Sequence, residues 1–207
     1  LPDDKLAAVK SLRNRLTKLG MEFSKNINES TGNIILRGEE QTAGLPASFL
    51  KARRQADGSH LVDLTYPSFF PFMNNARWAE GRKKLLTLYH QRAMARNLPL
   101  LKDVLGLRRE LVALLGYKNY AEYVLVERMA KDSKTVWDFL RSLEGKLAPH
   151  ARRDLALLTE YKRRETKDPA ARLETWDVFY YSTRAREAQF QLDMDGLREY
   201  FPVPAVL

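Results

Sequence analysis

From Leu107 to Lys131 the chain reads LRRELVALLGYKNYAEYVLVERMAK, and this stretch narrows the choice of fold more than any other. Leu107, Leu111, Leu114 and Leu115 recur at helical spacing. The run stops at Gly116, a residue that readily takes the left-handed conformation closing many helices. Asn119 opens a second run with Glu122 three residues on, an arrangement in which each side chain satisfies an orphan backbone N–H. Tyr120, Tyr123, Val124 and Met129 continue it. Two helices joined by a turn follow from this, and their apolar stripes need further helices to cover them.

The same periodicity extends in both directions. Pro2-Asp3-Asp4 puts acidic residues at the positive end of a helix, and Leu6, Val9, Leu12, Leu16, Leu19, Phe23 and Ile27 then advance by three or four. Downstream, helices are predicted over 76–96 and over 98–115, the latter with Pro99 in its first turn. Another starts at Ser133, acting as its cap, and carries Val136, Leu140, Leu143, Leu147, Ala151, Leu155 and Leu158; Pro149 should kink or break it. Asp168-Pro169 reads as a cap and a first-turn proline, and 176–190 as helix. Asp193 caps the last turns, which Pro202 and Pro204 end.

Only the stretch between Ser30 and Met73 differs in texture. Asn33-Ile34-Ile35-Leu36 has an extended composition, Gly44-Leu45-Pro46 punctuates before a short helix over 47–55, and Asp57-Gly58 is a turn signal. The best strand candidate is 60–66, HLVDLTY. Pro67-Ser68-Phe69-Phe70-Pro71-Phe72-Met73 follows, and its two prolines exclude it from a helix interior. Packing under a loop is favoured for these rings over lining a groove. The expected class is all-α with one short extended element near residues 60–66.

Composition limits the function classes. With 207 residues and 44% hydrophobic content the chain can bury a core, and no apolar run approaches the ~20 residues a membrane span needs. It has no Cys, which removes disulfides and thiolate metal sites and fits a reducing compartment. The opening LPDDKLAAVK has neither a signal-peptide pattern nor an initiating Met, so a cytoplasmic piece of a longer protein is expected. The net charge of +9 raises nucleic acid as a partner. Its basic residues, however, fall in clusters such as Arg53–Arg54, Arg82–Lys84, Arg108–Arg109, Arg152–Arg153 and Lys162–Arg164, among acidic neighbours on helix faces expected to be solvated. No nucleic-acid-binding motif accompanies them, so this partner ranks last.

Motifs that carry chemistry are scarce. His60, His90 and His150 are far apart and none belongs to H-E-x-x-H, in which two imidazoles one turn apart face a zinc ion. His90 is expected at a core margin and His150 on the surface. Neither a phosphate-binding glycine loop nor a G-x-S-x-G elbow occurs. Glu39–Glu40 and Asp193–Asp195 lie where turns and caps would place them. The most suggestive feature is Trp176-Asp177-Val178-Phe179-Tyr180-Tyr181. On a helix Trp176 and Tyr180 share one face, Asp177 and Tyr181 the next, and rings with hydroxyls and a carboxylate could hold a peptide. The pattern alone favours a core helix with satisfied hydroxyls. These four are the candidate peptide-contacting residues; no catalytic or metal-binding residue is assigned.

Several short words then combine. They are Gly44-Leu45-Pro46, Tyr66-Pro67 with Pro71 and Met73, Arg82, Leu107-Arg108 through Leu115-Gly116-Tyr117, Tyr123-Val124-Leu125, Met129-Ala130, Val136 and Phe139-Leu140. Trp176-Asp177 with Tyr180-Tyr181, and Tyr200-Phe201-Pro202, complete the series. In order and spacing the chain, from about Phe23 onward, resembles the thimet oligopeptidase, neurolysin and oligopeptidase A family of zinc metallopeptidases, in the helical region preceding their catalytic motif. The resemblance implies a mostly helical ellipsoid with a deep channel that admits short peptides, of which this region forms part of one wall. It implies zinc in the full-length protein, bound by H-E-x-x-H and a later Glu beyond this sequence, and none within this chain.

Two readings result. In the first, the chain is the non-catalytic amino-terminal part of a zinc oligopeptidase, inert without its catalytic half. In the alternative, it is a stand-alone helical binding scaffold. The first predicts bare apolar surface around Leu197, Phe201 and Val206, and self-association through it.

Overall fold

The computed structural model describes residues 2–190. Among them the chain forms nine α-helices, one 3-10 turn and a two-stranded antiparallel sheet, the all-α class with a minor extended element. The expectations for Asp193, Pro202, Pro204 and the Asp193–Asp195 pair, and for the patch at Leu197, Phe201 and Val206, lie outside the described residues. The chain divides into two compact units, Leu1–Thr31 with Gln91–His150, and Gly32–His90 with Ala151–Leu207.

In the first unit α1 (Asp3–Asn28) packs along α6 (Met94–Leu115). Val9 and Leu12 are buried against Leu107 and Leu111, flanked by Leu16, Leu19, Leu114 and Leu115. The middle of the predicted stripe, Val9 to Leu19, is thus part of the core of this unit, whereas Leu6 at its start is exposed. Near its end Asn26 Nδ2 donates to Asn97 Oδ1 at 2.9 Å, and Asn97 Nδ2 donates to the Phe23 carbonyl at 3.1 Å. Both asparagines are buried, and each amide finds a partner, as burial of a polar group demands.

The helix starts differ from expectation in an instructive way. The helix predicted over 76–96 ends at His90, and α6 begins at Met94, after Ala93 in the left-handed region (φ 54°). The amides of Arg96 and Asn97 both donate to the Ala93 carbonyl, which fixes the new start. Pro99 therefore sits in the second turn, where it costs only the bond to the Ala95 carbonyl. At the other end Gly116 (φ 78°) closes α6 as predicted. Its amide donates to Ala113, and that of Tyr117 to Val112, the paired bonds of a Schellman cap.

Asn119 caps α7 (Tyr120–Leu125) as predicted, its side chain accepting from the Glu122 amide at 2.9 Å. The helix is shorter than expected, and the Glu122 carboxylate accepts the hydroxyl of Ser133. Ser133 is therefore not the cap of α8 (Ser133–Thr166); Asp132 is, accepting from the Thr135 amide at 2.7 Å. The helix runs on through Pro149 without a break, and the boundary between the two units falls one residue later. Its first half leaves Trp137, Phe139, Leu140, Leu143 and Leu147 exposed.

In the second unit β1 (Asn33–Leu36) pairs with β2 (His60–Asp63), Ile34 opposite Val62. The strand predicted over 60–66 stops at Asp63 because its carboxylate accepts both the amide and the hydroxyl of Thr65, turning the chain. The proline-rich segment is then helix, contrary to expectation: α4 spans Tyr66–Asn75. Pro67 lies in its first turn, where no amide is needed. Pro71 has no N–H to give the Pro67 carbonyl, and Arg53 Nη2 donates to that carbonyl instead. Arg53 ends α3 (Ala47–Arg53), with its Nε on the Ser68 hydroxyl at 3.2 Å.

Phe69, Phe72 and Met73 of α4 are buried with Leu36, Leu45, Phe49, Val62, Leu64, Leu85 and Leu86. Gly44, after α2 (Gly38–Thr42), has φ +84°, and a Cβ there would strike the Asn75 carbonyl. Leu85 and Leu86 come from α5 (Ala79–His90). Asp168 does not cap a helix; its carboxylate accepts from Ala170 in a turn. Residues Thr175–Asp177 form the 3-10 turn that leads into α9 (Val178–Phe190).

Candidate functional site

The 3-10 turn carries Asp177 into the interior of the second unit, where it is 0% exposed. Its Oδ1 accepts from Arg82 Nη2 at 2.6 Å. Its Oδ2 accepts from Lys162 Nζ at 2.5 Å and from the Glu174 amide at 3.1 Å. The Glu174 side chain reciprocates on the Asp177 amide, a capping box that starts the turn. Arg82, 2% exposed, also donates to the carbonyls of Ala76 at 2.6 Å, Arg77 at 3.2 Å and Trp176 at 3.2 Å. One buried guanidinium thus holds the start of α5 against the 3-10 turn. A buried charge pair of this kind is tolerated only when its remaining donors are satisfied, and here they are.

Tyr180 and Tyr181 are buried beside this cluster. The Tyr180 hydroxyl donates to Glu165 Oε1 at 2.7 Å, and the Arg82 guanidinium lies 4.4 Å from its ring centre. Burial, then the hydrogen bond to Glu165, pushes the Tyr180 hydroxyl up to about 12. Tyr181 is raised as well, by burial first and then by the charges of Glu165 and Asp177. Neither is a phenolate at neutral pH. Trp176 is half-buried, packed on the main core, with Lys83 Nζ 5.0 Å from its ring centre.

The four residues singled out in the sequence are therefore neighbours. Asp177 and Tyr180 face inward with hydrogen-bond partners of their own, Tyr181 is buried with its ring against that of Tyr180, and Trp176 alone keeps a partly open side. Arg82 and Lys162, expected on solvated faces, are the residues the sequence did not place. Arg82 stood out only as one word of the family resemblance. His90, expected at a core margin, is exposed at the end of α5, and His150 is exposed on α8. Among the described residues no three His, Asp or Glu side chains gather as a metal-binding group.

The profile of peptidase family M3 matches residues 72–207. The chain belongs to peptidase family M3. It is 34% identical to saccharolysin of Saccharomyces cerevisiae, across 96% of this chain and 29% of that protein. It is 30% identical to oligopeptidase A of Escherichia coli, across 98% of this chain and 32% of that protein. To the probable thimet oligopeptidase of Arabidopsis thaliana it is 30% identical, across 96% and 28%. The chain thus spans about a third of the length of the curated M3 relatives it matches. No helix among the described residues is long and apolar enough to cross a membrane.

Proposed function

We propose that this chain is the helical, non-catalytic part of a zinc-dependent M3 oligopeptidase that hydrolyses short peptides in the cytoplasm, and that it forms one wall of the substrate channel. The observation carrying this reading is the family match combined with a span of about a third of each relative. The described residues do not fit zinc: His60, His90 and His150 lie on separate elements, and no three His, Asp or Glu side chains gather as a ligand set. Zinc chemistry is accordingly assigned to polypeptide outside this chain, and no catalytic step to a residue within it.

In that wall the Arg82–Asp177–Lys162 cluster and the two buried tyrosines fix the backbone, and contact with peptide falls to Trp176. The test compares this chain with the complete product of its gene, using metal analysis and a quenched-fluorescent peptide. The expected result is chelator-sensitive cleavage by the complete product, with no stoichiometric zinc and no cleavage for this chain. Cleavage by this chain alone, or a complete product with no downstream H-E-x-x-H, would sink the reading and favour a stand-alone scaffold.

The same reading accounts for apolar side chains left bare on the first half of α8. Trp137 is 58% exposed and Phe139 65%. Surface of this kind is covered in a complete protein. We expect the isolated chain to self-associate through it, with a sedimentation coefficient that rises with concentration. A strict monomer at high concentration would count against this.

A further inference from the structure

Within the first unit, α1, the turn after α6 and α7 with the segment after it border a half-open cavity of about 510 Å3, lined by Arg13, Tyr117, Tyr123, Glu127 and Arg128 among others, with Arg13, Glu127 and Arg128 exposed. Arg13 Nη2 donates to the Tyr123 hydroxyl oxygen at 2.5 Å. A hydroxyl that accepts from a guanidinium becomes a stronger donor of its own proton. That proton has no acceptor among the described residues. The Tyr117 and Tyr123 rings meet edge to face, centres 5.2 Å apart, and make one side of the cavity. Arg128 pairs with no carboxylate among the described residues, and Glu127 with no cation. Two guanidinium groups therefore face one cavity with a single carboxylate to balance them.

We propose that this cavity binds a carboxylate anion, received by Arg13, Arg128 and the Tyr123 hydroxyl. The planar guanidinium matches the two oxygens of a carboxylate. Glu127 disfavours a dianion, since the cavity carries only one unbalanced positive charge. Val124 and Val126 line the same space and give the rest of the ligand an apolar bed. The carboxylate belongs either to a peptide C-terminus or to a free organic acid. The inference does not rest on the peptidase reading, because a stand-alone chain would bind the same group.

The test is calorimetric titration of the whole chain at neutral pH and low salt with three probes: N-acetyl-trialanine, its C-terminal amide, and butyrate, a monoanion like the peptide acid. Heat from the peptide acid and none from the amide supports the site and assigns a chain terminus. Binding of butyrate with a silent peptide acid supports it and assigns a free acid. Equal binding of peptide acid and amide, or no binding of either acid, overturns it. Arg128→Gln should weaken binding about tenfold and Glu127→Gln should tighten it. Neither side chain has a partner in the fold, so both variants keep the structure. Affinity unchanged in Arg128→Gln overturns the location.

Discussion

Asn26 with Asn97 in the first unit, and Arg82 with Asp177 and Lys162 in the second, are both buried polar clusters joining segments far apart in sequence. They differ in charge. The asparagine pair is neutral and joins two helices that already share a continuous apolar stripe. The charged cluster stands where α5, α8 and the 3-10 turn converge, and one guanidinium there satisfies three carbonyls that no helix bond serves. A neutral pair adds register to an interface that hydrophobic burial has built. A charged one substitutes for regular secondary structure, and its loss is felt by every segment it ties.

The comparison can be broken by substitution. Asp177→Ala leaves Arg82 and Lys162 without their buried counter-charge and should cost about 3–5 kcal/mol. Urea unfolding followed by circular dichroism measures it; a loss below that of the asparagine variant would reverse the ranking. Asn97→Ala removes a neutral partner and leaves the Asn26 amide unsatisfied, for about 1–3 kcal/mol in the same assay. The smallest effect is a slope with pH. Tyr180 releases its proton near 10 in the unfolded chain and near 12 in the fold. Its contribution is whole below pH 10 and is lost as pH rises from 10 to 12, because the unfolded chain then binds fewer protons. Unfolding at pH 9 and pH 11 should show the decline, and Tyr180→Phe should reduce it, the remainder belonging to Tyr181, which is raised too. The Asn26–Asn97 pair has nothing to titrate, so Asn97→Ala should keep the wild-type slope.

Local signals carried far in this sequence, and long-range ones did not. The stripe of α1, the Schellman cap at Gly116 and the asparagine cap at Asn119 each depend on residues within one or two turns, and all three are where periodicity puts them. The failures have a common cause. Two prolines argue against a helix over Tyr66–Asn75, but the carbonyl that Pro71 cannot serve is taken by Arg53, fourteen residues before Pro67. The break between α5 and α6 belongs to Ala93 in a left-handed conformation that no glycine announces. For the candidate site, the spacing of Trp176, Asp177, Tyr180 and Tyr181 identified a special stretch. Which side chains would be consumed by partners was not visible there: Arg82 lies 95 residues from Asp177, and Lys162 is 15 away on another helix.

The middle of α8 meets the same difficulty as α4. Pro149 has no amide for the Gly145 carbonyl four residues earlier, and Gly145 is itself the residue type that a helix interior holds least firmly after proline. Backbone amides flanking this point should trade hydrogen for deuterium well ahead of those near Leu158, which is anchored in the core. Within the 34-residue helix, the hydrogen bonds around Pro149 would then be the first of its interior to open.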